Sequence, residues 1–534
     1  MDLSTICPLT VDAALARAAA TAPDVEAIVA DDGRLTFAQV ADRVAQLRSA
    51  LVAAGVRRGD HIGLCIGNRV AFHTMFLALG TIGAVTVPVN TRFRAEEMAY
   101  ALRQSRVSML FLADRFLRID FVDMLRSICP AIDTALPDAA MPDLMRVVVL
   151  GEDVPGAAMS LDDFLAAGTV PAAPTCAPDD ILLMQYTSGT TSFPKGVMLR
   201  QRSMLANAWF SGGRMGLRIG DRYHSARPFF HVAGSTLSIL SSLQHMVTLV
   251  SMDRFEGDKA LALMERERCT HFSGNDTMAL MLLNDPSLPQ RKLCLRGAWA
   301  AASPAVMRRI VDELGAVEAV AGYGLSEASP NIAQSAWWEP EDVRVASLMR
   351  PQPGVEVRIV GEDGTDLPIG ERGEIAVRGW NVMAGYYDKP EETAETLTQD
   401  GWLSTGDLGT LDAEGRLQFL GRAKDIVRVG GENVAPAEIE DILHRHPAIR
   451  QAAVIGVPDP RLMEVIGAFV IANEGAQTDE GAVIDWCKDN MAGFKVPRHV
   501  WFVPDFEAIG MTASSKVQKK PLAEHARRLL GIEA

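Results

Sequence analysis

"YTSGTTSFPKGV", Tyr186–Val197, places five Ser/Thr hydroxyls, two glycines and one lysine in twelve residues. It follows "ILLMQY", Ile181–Tyr186, a short apolar run that reads as a buried strand. A strand that empties into hydroxyls, freed backbone N–H groups and one cation suits a ligand rich in acceptor oxygens, such as a phosphate chain. The spacing is not that of a Walker A loop, which needs a Gly-Lys-Ser/Thr end opening a helix. Here Lys195 follows Pro194 and precedes Gly196. The stretch therefore predicts a phosphate cradle of another kind, hung on an α/β sheet.

Upstream, strand and helix patterns alternate. "EAIVA" reads as a strand, "DDG" as a turn, and Thr36-Phe-Ala-Gln39 as a helix capping box. Phe37, Val40, Val44, Leu47 and Leu51 recur at helical spacing, and Gly55 is the expected stop. "HIGLCIGN" and "AVTVPVN" read as strands around a helix near Phe72–Leu79. Such alternation favours a largely parallel sheet. Downstream the texture changes: "VEVRIV", "GEIAVRG" and "GRLQFLG" are short strands between Gly-rich turns. After "GRAKD" come a helix at "PAEIEDILHRH", strands at "AAVIGVP" and "IGAFVIA", and a helix near "AVIDWCKDNM". The expectation is an α/β fold. A large N-terminal domain spans 1–421, with a β-rich subdomain over about 353–421; a hinge covers 422–425, and a small mobile α+β domain 426–534.

The chain has 534 residues, enough for several domains at roughly 100–200 residues each. Its net charge of −15 argues against a general nucleic-acid binder, because no broad basic surface is available to neutralise a phosphate backbone. The seven scattered cysteines, with no Cys-x-x-Cys, read as reduced, buried thiols of a cytoplasmic protein. The opening residues carry no signal-peptide pattern. The most apolar run, Met75–Val89, is too short for a membrane span and contains Gly80, Gly83 and Pro88, so no transmembrane segment is expected.

Further segments stand in a telling order: "PFFHVAG" (Pro228–Gly234), "GAWAAASP" (Gly297–Pro304), "AGYGLSEASP" (Ala321–Pro330), "GWLSTGDLG" (Gly401–Gly409), "GRAKDIVRVGGENVAPAEIE" (Gly421–Glu440) and "GMTASSKVQKKPL" (Gly510–Leu522). From about Leu35 to about Leu522 the chain resembles AMP-forming acyl-CoA synthetases of the adenylate-forming superfamily, which also holds carrier-protein adenylation domains and beetle luciferases.

The resemblance implies the following roles. Thr187, Ser188, Gly189, Thr190, Thr191 and Lys195 hold the ATP phosphates, and Ser326 meets the α-phosphate. Ala301, Gly322 and Tyr323 face the adenine, while Asp407 and Arg422 take the ribose. Glu327 is the Mg²⁺ ligand and, with Lys516 and His231, forms the catalytic set. His231, Trp299 and Gly324 edge the acyl pocket. Asp425 is the pivot, and Lys424, Arg428, Gly430 and Gly431 serve coenzyme A. Three positions depart from the family pattern: Ser192 and Ser515 stand for glycines and Gly510 for a proline. Lys519 and Lys520 compete with Lys516 as the catalytic lysine and read as solvated.

The implied reaction joins a small carboxylic acid to coenzyme A through an acyl-adenylate, with ATP consumed to AMP and pyrophosphate. Alternatives are a carrier-protein acceptor, luciferase-like oxygenation, and a non-catalytic nucleotide-binding regulator. No carrier domain follows Lys516 before "LLGIEA", and the intact Lys195, Glu327, Asp407 and Lys516 argue against a regulator. The identity of the acid (fatty, aryl or arylpropenoic) and a homodimeric state stay open at this level.

Overall fold

A computed structural model describes residues 1–187, 194–430, 432–512 and 515–532. Its backbone is built on two large twisted sheets. One has nine strands in the order Arg350–Pro351, Asn331–Gln334, Val320–Gly324, Gly297–Ala301, His271–Asn275, Arg222–Ser225, Thr248–Val250, Glu26–Ala30 and Gly33–Thr36. Its central pairs are parallel and its ends antiparallel. The other has eight, running from Gly385–Tyr386 through Lys195–Arg200, Ile181–Thr187, Val85–Pro88 and His61–Cys65 to Met159–Ser160. One continuous apolar core joins helices and both sheets.

Local chemistry sets the elements. The Thr36–Gln39 capping box forms as expected: the Thr36 hydroxyl accepts from Gln39 N at 3.3 Å, and Gln39 Oε1 from Thr36 N at 2.9 Å. That satisfies two orphan donors at the start of helix Phe37–Ala53. Gly55, at φ +84°, then turns the chain out of it. The apolar run Met75–Val89 is a buried helix, Val70–Ile82, leading through Gly83 into a buried strand, Val85–Pro88. No helix among the described residues is long and apolar enough to cross a membrane.

The expected β-rich region is an antiparallel four-stranded sheet of Val355–Val360, Gly373–Gly379, Leu403–Leu411 and Leu417–Arg422. Beyond it, Val427–Val429 and Glu432–Val434 form a hairpin on a sheet with Ile449–Asp459, Met463–Ala472 and His499–Phe502. Alternate residues of Ile449–Asp459 enter two separate clusters: Ala452 and Val454 on one face, Ala453, Ile455 and Val457 on the other. Both faces are therefore covered, and this is why the sequence reads there as an unbroken apolar run.

The cysteines need one correction. All seven are free, but only five are buried; Cys176 is partly accessible and Cys294 exposed. Cys294 lies in the irregular segment before strand Gly297–Ala301, which no apolar pattern pulls inward.

Candidate active site

The phosphate-loop hairpin is antiparallel, with Thr187 opposite Lys195 at its open end. Ser188, Gly189, Thr190, Thr191 and Ser192 lie outside the described residues, as does Gly431. The Lys195 ammonium sits 4.9 Å from the centre of the Tyr386 ring. The same tyrosine donates its hydroxyl to Glu327 Oε1 at 3.0 Å. Strand pairing builds this link, since Val197 pairs with Tyr386. Tyr386 thus joins the cation expected at the phosphates to the carboxylate expected at the metal, and sequence reasoning missed it.

Glu327 lies in the short helical turn Ser326–Ala328, with Ser326 buried beside it. Burial raises the Glu327 pKa, against the lowering effects of the Tyr386 hydroxyl and the Arg422 charge. Among the described residues Glu327 shares its side chain with a phenol and forms no ion pair. A shielded carboxylate with no cation of its own fits a hard dication shared with phosphate oxygens.

Tyr323 and Asp407 come together as a pair. The tyrosine hydroxyl donates to Asp407 Oδ2 at 2.9 Å, and Arg422 Nε stands 3.4 Å from Oδ1. Among the described residues Oδ1 is buried without a hydrogen-bond donor. Burial raises the Asp407 pKa, opposed by Arg422, the Tyr323 hydroxyl and Lys516. An unfilled acceptor beside an arginine suits a hydroxyl donor such as a ribose. One face of the Tyr323 ring is covered by Phe419, at 5.1 Å and 23°. Phe419 is itself 39% exposed, an aromatic plate beside the Tyr323–Asp407 pair at a position sequence reasoning missed. Ala301 ends its strand exposed.

The two glycines of "AGYGLSE" answer to packing. A Cβ on Gly322 would lie 2.3 Å from the Trp299 ring, and one on Gly324 1.9 Å from the Pro330 carbonyl. Trp299 is buried, with Arg227 stacked over it at 4.1 Å. His231 caps the turn Val232–Gly234, its Nδ1 accepting from Ala233 N at 3.3 Å. That bond leaves the proton on Nε2 when the ring is neutral. Burial first, then the charges of Arg227 and Lys516, lower its pKa to about 4, so the ring is neutral at pH 7.

The C-terminal lysine loop closes over this cleft. Thr512 and Lys516 hold each other: Lys516 N donates to Thr512 Oγ1 at 2.9 Å, and Thr512 N to Lys516 O at 2.8 Å. Ser515, standing where the family has glycine, takes φ +55°, the left-handed conformation a glycine adopts freely. Arg92 Nη1 donates to Thr512 O at 3.1 Å, and Arg254 pairs with Glu507 at 3.2 Å, tying the loop to the large domain. Lys516 keeps its side chain open to solvent along the cleft. Protein crowded around the ammonium, and then Arg422, nevertheless lower its pKa, while Asp407 and Asp425 pull it back up. Lys519 instead pairs with Glu440 at 2.9 Å, within the small domain. Lys424 and Arg428 are exposed, and Gly430, at φ +59°, opens the turn between its two hairpin strands.

Comparison with known proteins places the chain in a family. The AMP-binding enzyme family matches residues 15–387, and the AMP-binding enzyme C-terminal domain matches 438–516. The medium-chain acyl-CoA ligase ACSF2 of Bos taurus is 34% identical over 98% of this chain and 88% of its own. The 3-[(3aS,4S,7aS)-7a-methyl-1,5-dioxo-octahydro-1H-inden-4-yl]propanoyl:CoA ligase of Rhodococcus jostii is 38% identical over 97% and 99%. The crystal structure of the anthranilate CoA ligase AuaEII with anthranoyl-AMP superposes with a TM-score of 0.88 at 27% identity, covering 99% of this chain and all of that one. The chain belongs to the AMP-binding enzyme family and is an ATP-dependent carboxylate–CoA ligase.

Proposed function

We propose that the cleft between Glu327, Asp407, His231 and Lys516 makes the acyl-adenylate, and that a turn of the small domain about 422–425 then admits coenzyme A. The observation that carries this reading is the cluster of Asp407 with Arg422, 3.4 Å away, and the Tyr323 hydroxyl, beside which the Lys516 charge reaches both Asp407 and His231.

A carboxylate repels a thiol and has no good leaving group. Attack of its oxygen on the α-phosphorus of ATP forms a C–O–P bond, expels pyrophosphate and leaves AMP as the next leaving group. Two anions must be held together for this, so the cations carry the work. Lys516 bridges the carboxylate and α-phosphate. Lys195 balances the departing pyrophosphate, and Ser326 donates to the α-phosphate. Neutral His231 offers its Nε2–H to the carboxylate without adding charge. Asp407 Oδ1 accepts from the ribose beside Arg422, and adenine lies against Tyr323 and Phe419. Glu327, steadied by Tyr386, would hold Mg²⁺, which when bound neutralises phosphate charge.

In the second half-reaction the thiol sulfur attacks the acyl carbonyl, AMP leaves and the thiol proton is lost to solvent. Arg92 and Arg254 would release the lysine loop first. Rotation about Asp425 would then bring hairpin 427–434 to the cleft, with Lys424 and Arg428 toward the coenzyme A phosphates and Gly430 and Gly431 beside its pantetheine arm. On this reading the domains are 1–421 and 426–534. A cytoplasmic location is supported by seven free thiols, which fit a reducing compartment. The relatives named for medium-chain acyl groups and for a bicyclic propanoyl group support an acid of medium size.

The test is a panel of carboxylic acids with ATP and Mg²⁺, with and without coenzyme A, resolving AMP, ADP and acyl-CoA. Acyl-CoA equimolar with AMP, for some acids only, supports the reading. AMP formation indifferent to coenzyme A would move the acceptor to a carrier protein.

A further inference from the structure

Beside the cleft, the large sheet carries polar groups where a plain hydrocarbon pocket would carry none. Paired residues of parallel strands share a face, as do residues two apart along one strand. Ser225 pairs with Ser273 and Ser273 with Trp299, and Tyr223 stands two before Ser225. All four therefore lie on one face. A π-helical segment, Ser235–Leu240, covers it, with Ser238 Oγ 2.7 Å from Ser225 Oγ. Such segments are frequent at functional sites.

Arg227 sits at the end of this row. It is 7% exposed and forms no ion pair among the described residues. Its guanidinium lies 4.1 Å over the Trp299 ring, and Nη2 makes only a long contact, 3.5 Å, to Gly274 O. Among the described residues Nη1 has no partner, and neither does the indole Nε1 of Trp299. The Tyr223 hydroxyl is buried among the hydroxyls of Ser225, Ser238 and Ser273. Asn68 pins the segment: its Nδ2 donates to Arg227 O at 2.9 Å, and its Oδ1 accepts from Phe229 N at 2.7 Å. A pinned, buried cation with donors to spare and no anion beside it is costly unless a ligand supplies the acceptor.

Position gives the ligand. His231 lies four residues after Arg227 on one segment, and the charges of Arg227 and of Lys516 from the small domain both reach its imidazole. Lys516 belongs to the reacting end of the acid; Arg227, on the Trp299 side, belongs to the far end. We propose that Arg227, backed by Trp299, determines specificity by binding an acceptor oxygen, of a ketone or a second carboxylate, that the acyl group carries remote from its reacting carboxylate. The proposal rests on the assignment of His231 and Trp299 to the acyl pocket.

The experiment compares kcat/KM for acyl-CoA formation among three acids of one chain length: the plain monocarboxylate, a keto acid with its carbonyl near the far end, and the α,ω-dicarboxylate. The parent enzyme is expected to favour at least one acceptor-bearing acid over the plain one by ~10²-fold or more, because a site built to hydrogen-bond strongly rejects the analogue that lacks the group. Arg227→Met should bring that ratio close to one, with KM for ATP unmoved and the melting temperature of the free enzyme not lowered. Arg227→Lys should keep part of any dicarboxylate preference. The larger of the two ratios names the acceptor. A parent enzyme that prefers the plain acid, or a ratio unchanged in Arg227→Met, overturns the proposal. If Arg227→Met does not fold, Trp299→Phe, which removes the indole donor and one ring but keeps an aromatic face beneath the guanidinium, should still lower the ratio several-fold, and an unchanged ratio counts against the proposal. Trp299→Ala separates the two levels. If it alters chain-length preference while Arg227→Met changes nothing, only the Arg227 role fails; if it alters no acid's kcat/KM, the pocket assignment fails as well.

Discussion

Removing the Tyr386 hydroxyl isolates one link in the site. In Tyr386→Phe the ring stays beneath Lys195, so the 4.9 Å cation–ring contact is kept, and only the 3.0 Å bond to Glu327 Oε1 is lost. Burial already raises the Glu327 pKa, and the tyrosine hydroxyl is the leading side-chain contact that lowers it. A hydrogen bond to a charged group contributes about 1.5–3 kcal/mol. At 1.36 kcal/mol per factor of ten, that is a roughly 10- to 10²-fold penalty on the ionised carboxylate, and the Glu327 pKa should rise further. Glu327 must be ionised to face a dication, so the acid limb of the adenylation rate should move to higher pH. The Mg²⁺ concentration for half-maximal rate at pH 7 should rise with it. The assay is acid-dependent pyrophosphate–ATP exchange from pH 5 to 9. An acid limb displaced by less than about 0.3 units, with an unchanged Mg²⁺ requirement, would refute both the role of Glu327 and its tuning by Tyr386.

Three more outcomes follow from the geometry. Ser515→Gly relieves a left-handed serine and should stabilise the lysine loop by up to about 1 kcal/mol, seen as a small rise in melting temperature. Arg92→Ala removes the donor to Thr512 O; it should slow adenylation several-fold and leave thioester formation from a supplied adenylate unchanged. Asp276, between Ser303 N and the small-domain acids Glu440 and Asp441, has its pKa raised by burial from 3.8 to about 7. A folded-state pKa above the unfolded one means stability present in acid and lost as pH rises to about 7. Asp276→Asn, which keeps the acceptor for Ser303, should therefore gain stability over the parent progressively from about pH 4 to pH 7 and level off above it, as read by denaturant melts.

The sequence carried the motifs because each is local: a hydroxyl loop, a Tyr-Gly-Leu-Ser-Glu run, a Gly-Arg-Ala-Lys-Asp turn. The strand and helix pattern was equally legible, since the Thr36 capping box and the apolar run within Ile449–Asp459 are written in neighbouring residues. What escaped was made by distant pairing. Tyr386 reaches Glu327 only because its strand lies beside Lys195–Arg200. Phe419 looked like one aromatic of a short strand until its ring met Tyr323. Arg227 preceded a recognised segment, and neither its burial nor its lack of an anion shows in the letters. Gly322 read as facing the adenine and Gly324 as edging the acyl pocket; the groups a Cβ there would meet, Trp299 and Pro330, are set by tertiary packing.

The central claim is that Lys516 serves the first half-reaction alone. Lys516→Ala should be assayed twice, by pyrophosphate–ATP exchange and by acyl-CoA formation from a preformed adenylate. The account predicts adenylation slowed by ~10²-fold or more, as for loss of one preorganised donor at developing charge, with thioester formation near the parent rate. Equal losses in both assays, or adenylation left intact, would contradict it.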